Sequence, residues 1–211
     1  MSHASSVETK EQILDVAERA IAENGYAGTT LRSVVGKANV NLAAIHYHFG
    51  SKEDLFRAVI ARMAQPIVSG HLTALEAILS KTDMPSVEAI LRAYLQSSFD
   101  YVTRSAMTHP TRAQFMGRCR TEPDPVQSIA DKQFRPSTEK FLDALQRALP
   151  DQTRSQLKWK LDLVVTSLIR VLGEAGKPDA LLNDTTPKGV EAALSELIAF
   201  YSPSSAGSKN A

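Results

Sequence analysis

Two short helical segments near the start of the chain, 31–38 and 41–48, constrain its fold most strongly. Isolated helices of this length are unstable in water, so each must pack against neighbouring helices. The segment before them, 9–24, has apolar residues at helical spacing and stops at Gly25, and the helix after them starts at Ser51. The sequence therefore predicts a compact helical unit in which the short segments are held between two longer helices.

The remaining chain also has apolar residues at helical spacing, and it lacks the apolar–polar alternation of a half-buried strand. Pro66 is expected to bend its helix without ending it, whereas Pro136 predicts a kink or break near Arg135. Further helices are predicted at about 51–79, 87–102, 110–121, 126–149, 151–174 and 187–201. The fold class is therefore all-α with about nine helices.

Composition limits the possible partners and compartments. With 24 basic and 23 acidic side chains, the formal charge of +1 indicates no general attraction to a polyanion. The single cysteine, Cys119, excludes an internal disulfide and a multi-cysteine metal site, and we interpret it as a half-buried apolar residue. No signal peptide and no run of about 18 apolar residues is present. We expect a cytoplasmic protein without a membrane segment, metal or cofactor.

The residues around the short segments have the properties of a helix-turn-helix. Thr30 can cap the first short helix, Ala38 permits close helix approach, and Asn39 tolerates a left-handed turn. Helical spacing turns Val40 and Ile45 inward. The outward positions of the second short helix are Leu42, Ala43, His46 and Tyr47.

Three stretches, GYAGTTLR from Gly25, ANVN from Ala38 and HYHFGSKE from His46, resemble the DNA-binding domain of the tetracycline-repressor (TetR) family. The resemblance covers about 9–62. It departs at Asn39, where the family commonly has glycine, and asparagine is a mild substitute because it tolerates positive φ.

The resemblance implies a role for each matched residue on DNA. It implies that Leu42, Ala43 and His46 approach base edges and that Arg32 reaches a neighbouring base. Tyr47 and Lys52 are implied to hold phosphates, and Thr30 to add a phosphate contact to its capping role. The local charge agrees with DNA contacts in the second of two segments. Residues 8–24 include two basic and five acidic side chains, whereas residues 26–62 include five basic and two acidic ones.

The domain division follows from the same resemblance. We predict a helix-turn-helix domain over 1–62 with a disordered arm at 1–8, a helical effector-binding and dimerisation domain over 63–202, and a disordered tail at 203–211. In the second domain the stretches FMGR from Phe115, EPDP from Glu122 and FRP from Phe134 are weakly similar to a subgroup for which acyl or lipid-like effectors are expected. Its candidate pocket residues are Tyr94, Phe99, Met107, Arg112, Phe115, Met116 and Arg118, with the arginines available to a carboxylate. The alternative is that the apolar ones are ordinary core.

A homodimer is predicted from the last two helices. The segment 161–172 is apolar on nearly every side, so one domain core cannot cover it. The predicted interface residues are Leu161, Val164, Val165, Leu168, Leu172, Val190, Leu194, Leu197, Ile198 and Tyr201. The two recognition helices of such a dimer would read a near-palindromic operator in successive turns about 34–36 Å apart.

The predicted function is a DNA-binding repressor that leaves its operator when a small apolar effector binds and the fourth helix shifts. An enzyme using His109, Asp124 or Cys119 is not expected, because no nucleophile–base pair or metal-ligand spacing is visible. His46 and His48 lie on different helix faces and so do not form a metal pair. A helical ligand-binding protein without DNA binding is the open alternative, because the reading face is weakly polar.

Overall fold

The computed structural model describes residues 3–103 and 109–202. Over these residues the chain is all-α, with nine helices and no strand, as helical spacing predicts. None of these helices is long and apolar enough to cross a bilayer. In chain order they are α1 (His3–Gly28), α2 (Leu31–Ala38), α3 (Leu42–His48), α4 (Lys52–Leu79), α5 (Val87–Thr103), α6 (His109–Thr121), α7 (Val126–Ala148), α8 (Arg154–Gly173) and α9 (Pro187–Tyr201).

Helix α1 begins earlier than expected, at His3, so residues 3–8 are helical and do not form the predicted disordered arm. No glycine or proline lies between His3 and Asn24, and a nucleated helix extends readily through such residues. At Gly25 the backbone adopts φ 73° and ψ 174°, which interrupts the helix at its predicted end. One further turn to Gly28 leads towards α2.

Side-chain caps define the ends of α2 and α3. The Thr30 hydroxyl oxygen accepts from the Ser33 amide at 3.1 Å, and the Ser33 hydroxyl oxygen accepts from the Thr30 amide at 3.1 Å. Asn39 ends α2 in the left-handed region, with φ 50° and ψ 43°, as predicted. Asn41 then accepts from the Ala44 amide at 2.7 Å and caps α3. The predicted helix-turn-helix is therefore confirmed in its local geometry.

Helix α4 joins the two halves of the chain. Ser51 caps its first turn, and the helix continues through Pro66 to Leu79, as predicted. It packs against α1, α5 and α7. Its Phe56 ring meets the Phe115 ring of α6 with centroids 6.4 Å apart, and one apolar core extends from α1 to α9.

Helix α7 passes Pro136 without ending, so of the predicted kink or break near Arg135 the break is excluded. Ala130 before the proline and Phe141 after it are both buried, and their spacing puts them on one helix face. Packing of this face against the core holds both halves in one helix despite the amide that proline lacks.

The last two helices lie close to their predicted bounds. Helix α8 begins at Arg154 after its cap, Thr153, and α9 spans the predicted 187–201 after its cap, Thr186. Helix α8 contacts α5, α6, α7 and α9. Neighbours within the chain therefore cover most of the apolar surface of α8.

The turn at Asn39 can be tested by two substitutions. Asn39→Gly should leave the free energy of unfolding nearly unchanged, whereas Asn39→Val should lower it by about 1–2 kcal/mol, because a branched side chain opposes positive φ. Urea denaturation followed by circular dichroism at one protein concentration measures both values. An Asn39→Val variant as stable as Asn39→Gly would contradict the left-handed turn.

Candidate DNA-binding surface and effector cavity

The outward face of α3 is exposed, while its one fully buried side chain, Ile45, anchors the helix to the core. Leu42 is 41% exposed and Tyr47 is 81% exposed. Ala43 and His46 are also exposed. These four predicted contact residues therefore share the solvent side of a short, anchored helix.

The His46 ring is oriented by its own loop. Its Nδ1 lies 2.8 Å from the carbonyl oxygen of Gly50, which can only accept a hydrogen bond. Nδ1 is therefore the donor, and Nε2 is the acceptor of the neutral imidazole. An acceptor in this position can receive a hydrogen bond from a base amino group.

The other predicted contacts lie at the starts of α2 and α4. Thr30 and Arg32 are exposed, and Lys52 is half-buried. The Lys52 ammonium lies 4.2 Å from the centre of the Tyr26 ring. Burial lowers the pKa of Lys52, and the negative charge of Glu122 opposes this shift. Lys52 is thus positioned where the DNA-binding unit meets α6.

A buried carboxylate joins α1 to three other helices. Glu18 is only 1% exposed, and its carboxylate lies 2.6 Å from Nη2 of Arg62 and accepts from the Tyr101 hydroxyl at 3.3 Å. Arg112 of α6 lies 3.8 Å from the same carboxylate and 4.2 Å from the centre of the Tyr101 ring. Burial and the Glu18 charge raise the pKa of Tyr101, which stays neutral. Arg112 belongs to this cluster and not to the cavity, which corrects its predicted role.

Arg118 of α6 and Glu122, the residue that directly follows α6, form what we call the α6 clamp on the end of α1. Arg118 donates from Nε to the Ala22 carbonyl and from Nη2 to the Glu23 carbonyl, both at 3.4 Å. The Glu122 carboxylate accepts from the Tyr26 amide at 2.8 Å. The clamp satisfies backbone groups that the end of α1 leaves unpaired.

Gly25 permits this close approach. A Cβ at Gly25 would overlap the Glu122 carboxylate, and its φ of +73° is itself unfavourable for other residues. Arg118 is therefore committed to the junction with α1. Its prediction as a carboxylate partner in the effector pocket is corrected accordingly.

A cavity of about 440 Å³ lies between α4, α5, α6, α7 and α8. This volume falls within the range of roughly 300–1,000 Å³ typical of small-molecule sites. Of the predicted pocket residues, Tyr94 and Met116 line it. Phe99 and Phe115 are fully buried in the core and do not line it, which corrects their assignment. Met107 lies outside the described residues.

Most of the lining was not predicted. Its additional apolar members include Met63, Phe134, Leu161, Val165, Leu168 and Ile169, and its polar members include His71, Ser98, Arg120, Asp131, Thr138 and Asp162. The sequence contained a signal for one of them. His71 follows Ile67 and precedes Leu75 by one helical turn each, so it interrupts an apolar stripe.

Cys119 also lines the cavity and is buried. Burial raises the pKa of its thiol, with smaller contributions from Glu122 and Glu18. The thiol is therefore protonated at neutral pH, in agreement with its interpretation as a small apolar residue, although it is buried and not half-buried as predicted. Among the described residues, no group of three or more His, Cys, Asp or Glu side chains is arranged to hold a metal ion.

Most of the predicted dimer residues pack inside the chain's own core. Val165 and Tyr201 are half-buried. The other eight are buried in the chain's own core, namely Leu161, Val164, Leu168, Leu172, Val190, Leu194, Leu197 and Ile198. They have no area left for a partner, so this assignment is corrected. The large apolar side chains that α8 and α9 expose are Trp159 at 64%, Leu163 at 38% and Phe200 at 81%.

The α6 clamp can be tested through stability. Glu122→Ala removes the acceptor of the Tyr26 amide and should lower the free energy of unfolding by about 1–3 kcal/mol. Glu122→Gln keeps an acceptor and serves as the matched control, with a smaller loss. Urea denaturation at one protein concentration gives both values. Equal stability of Glu122→Ala and the unmodified protein would rule out an important clamp.

The fold and the helix-turn-helix agree with comparisons to solved structures. A TetR-like transcriptional regulator from Rhodococcus sp. RHA1 has a TM-score of 0.61 and 18% identity, with 92% of this chain and 93% of that chain covered. A putative tetR family transcription regulator from Shewanella sp. PV-4 has a TM-score of 0.63 and 14% identity, with 92% and 95% covered. At these identities the likeness concerns the fold alone.

Sequence comparisons identify the family. BetI of Burkholderia thailandensis, an HTH-type transcriptional regulator, is 31% identical over 117 residues, 54% of this chain and 56% of BetI. AcnR of Corynebacterium efficiens, an HTH-type transcriptional repressor, is 40% identical over 70 residues, 31% of this chain and 37% of AcnR. The matches thus span about half or less of these curated relatives. Residues 13–59 match the model of bacterial regulatory proteins, tetR family, and residues 92–202 match that of the tetracyclin repressor-like C-terminal domain. Because the latter match alone covers more than half of the chain, the protein belongs to the tetracycline-repressor family.

Proposed function

We propose that this chain is a transcriptional repressor that binds a near-palindromic operator as a homodimer and is released by a small, mainly apolar effector. The observation that carries the proposal is the exposed outward face of α3, with Leu42 and Tyr47 exposed while Ile45 is fully buried. A short helix anchored on one side and exposed on the other fits the major groove of DNA. Its site of action is the DNA of the cytoplasm.

The contacts divide into reading and positioning groups. Leu42 and Ala43 can meet thymine methyl groups, and His46 presents Nε2 as an acceptor. Arg32 can pair with a guanine edge. Tyr47 and Lys52, with Thr30, contact phosphates and set the register. The reading face has few polar groups, so sequence-dependent DNA shape contributes to specificity.

The DNA proposal is tested by selecting bound fragments from genomic DNA and then measuring affinities. His46→Ala and Arg32→Ala should change the preferred sequence. Lys52→Ala should weaken binding to all DNA sequences to a similar extent. It should also reduce the slope of log affinity against log salt concentration by about 1, because one phosphate contact is lost. Arg147→Ala, which removes an exposed charge on α7, is the control and should behave as the unmodified protein. Recovery of no enriched fragment would favour a ligand-binding protein that does not bind DNA.

The dimer proposal rests on the residues that α8 and α9 expose. Tyr201 bonds Ser167 Oγ at 2.6 Å and donates to the Leu163 carbonyl at 3.4 Å, which ties the end of α9 to α8. Phe200 packs edge-on against Tyr201, with ring centroids 5.2 Å apart. Leu163 and Phe200 thus belong to one surface formed by two helices. Pairing it with its twofold copy makes a four-helix interface.

Negative charges introduced at this surface should prevent dimerisation. The double variant Leu163→Glu with Phe200→Glu should be monomeric by chromatography with light scattering, because like charges would be buried against each other. Met84→Glu changes a 70% exposed side chain of the α4–α5 loop and is the matched control, expected to remain dimeric. A monomeric unmodified protein, or a folded double variant that is still dimeric, would contradict this interface.

The two faces of α6 supply a route from effector to DNA. Met116, Cys119 and Arg120 line the cavity at helical spacing, whereas Arg118 and Glu122 hold the end of α1 from another side of the helix. An effector that displaces α6 therefore moves α1 and, with it, α2 and α3. Helix α4 also borders the cavity and contributes to the same movement. The protein then has two arrangements, with α6 displaced and not displaced. The effector shifts operator affinity by the difference between its affinities for the two, typically about 1–3 kcal/mol.

The acyl-type resemblance implies a carboxylate at the polar end of the effector, and the described cavity does not offer it the two predicted arginines. The two arginines expected to receive it are used elsewhere: Arg112 forms an ion pair with Glu18, and Arg118 donates hydrogen bonds to the end of α1. The apolar character of the effector is supported by the cavity lining. Its polar group must be sought among the other lining residues.

A further inference from the structure

We propose that Tyr26 and Glu122 are positioning residues for DNA binding: the Glu122 carboxylate fixes the backbone of Tyr26, and the Tyr26 ring holds the Lys52 ammonium where it meets a DNA phosphate. The inference rests on the proposed function, because it takes Lys52 to be a phosphate contact. It deepens that proposal by making this contact depend on the end of α6. Neither Tyr26 nor Glu122 was among the predicted DNA contacts.

The first observation is the aromatic support of Lys52. Lys52 is the first residue of α4, and its Nζ lies 4.2 Å from the centre of the Tyr26 ring. The negative face of an aromatic ring attracts an ammonium group. The ammonium has three N–H donors, so it can rest on the ring and still donate to a phosphate oxygen. The ring therefore holds the charge in place before DNA arrives.

The Tyr26 ring is itself fixed along the first turn of α4. It meets the Phe56 ring with centroids 4.9 Å apart and an interplanar angle of 58°, and Phe56 is only 1% exposed. Phe56 follows Lys52 by four residues, so both lie on the same face of α4. Burial and the charge of Glu53 raise the pKa of Tyr26, which keeps its hydroxyl neutral. A shift of Tyr26 would consequently change the surroundings of Lys52.

Glu122 fixes the other end of Tyr26. The Tyr26 amide donates to the Glu122 carboxylate at 2.8 Å, and Arg118 donates to the same carboxylate at 3.3 Å. The Glu122 side chain is largely buried. Its negative charge also acts at Lys52, where it opposes the effect of burial on the pKa of the ammonium. One residue next to α6 thus influences both the position of Tyr26 and the charge of Lys52.

The turn that Glu122 anchors also leads to the start of α2. The Tyr26 carbonyl accepts from the Thr29 amide at 3.3 Å, and the Thr29 hydroxyl donates to the Gly25 carbonyl at 2.8 Å. Thr30 follows as the cap of α2. Tyr26, Thr30 and Lys52 border one small crevice. The anchored turn therefore lies beside both of the proposed phosphate contacts, Thr30 and Lys52.

Substitutions of Tyr26 test the support of Lys52. Fluorescence anisotropy measures affinity for a fragment selected from genomic DNA and for an unrelated fragment of equal length. Tyr26→Leu should weaken binding of both by about twofold to fivefold, which corresponds to one exposed cation–π contact. Tyr26→Phe keeps the ring and should restore the affinity. Arg147→Ala is again the control for a change elsewhere on the surface.

A double-mutant cycle assigns this loss to Lys52. In a Lys52→Ala background, Tyr26→Leu should cause no further loss, because the group that the ring supports is already absent. An equal loss in both backgrounds would show that Tyr26 acts through another residue. That result, or a folded Tyr26→Leu protein that binds DNA with unchanged affinity, overturns the inference.

Two substitutions of Glu122 separate its hydrogen bond from its charge. Glu122→Ala and Glu122→Gln remove the same negative charge, which by itself would favour binding to DNA. Only Glu122→Ala also removes the acceptor of the Tyr26 amide. Glu122→Ala should therefore bind both fragments about twofold to fivefold more weakly, whereas Glu122→Gln should show no loss. Equal affinities of the two folded variants would contradict the positioning role.

Proton NMR of the protein without DNA separates this inference from the proposed function. The Lys52 side-chain protons next to Nζ should be shifted upfield by the Tyr26 ring. The shift should persist in Tyr26→Phe and Glu122→Gln, decrease in Glu122→Ala and disappear in Tyr26→Leu. If these protons are not shifted while Lys52→Ala weakens DNA binding, the inference is overturned and the repressor stands. If the shifts follow this pattern but no DNA fragment is enriched, the contacts are confirmed, and the proposed function and the DNA role of these residues are contradicted.

Discussion

The buried carboxylate of Glu18 is the interaction on which the arrangement of the two halves depends. A buried charge destabilises a protein strongly unless it is paired, so the partners of Glu18 must all reach one point. Arg62 comes from α4, Tyr101 from α5 and Arg112 from α6, and Glu18 itself belongs to α1. The pairing of Glu18 therefore ties these four helices to one another at a single point. The DNA-binding unit and the cavity are parts of one body that shares a continuous core.

Helix α6 connects the cavity to the end of α1. One side of it lines the cavity, and the clamp formed by Arg118 and Glu122 bonds the end of α1. Arg112 and Arg118 both contact α1, so neither is available in the cavity as a ligand for an anion. The chemistry of the cavity then depends on His71, which burial keeps neutral by lowering its pKa to about 4, and on charges that are already paired or exposed. A mainly apolar effector is consistent with both consequences.

The dimer surface shows why an apolar pattern does not by itself identify an interface. Helix α8 is apolar on nearly all sides, from which we predicted that the core of one chain could not cover it. Helices α5, α6, α7 and α9 of the same chain provide most of those contacts. What remains exposed is a smaller surface that includes Trp159, Leu163 and Phe200. A homodimer through these residues is still the proposal, with different contacts from those that periodicity suggested.

The sequence by itself determined the features that depend on residues three or four positions apart. Thr30 and Ser51 as caps, Asn39 in a left-handed turn, and the outward face of α3 all follow from such local relations. Only the tertiary structure decided where long or buried side chains find their partners. Arg112 and Arg118 turned to α1, and His71 of α4 came to line the cavity. Helical periodicity determines which face is buried but not which helix covers it, and those contacts join residues far apart in the chain.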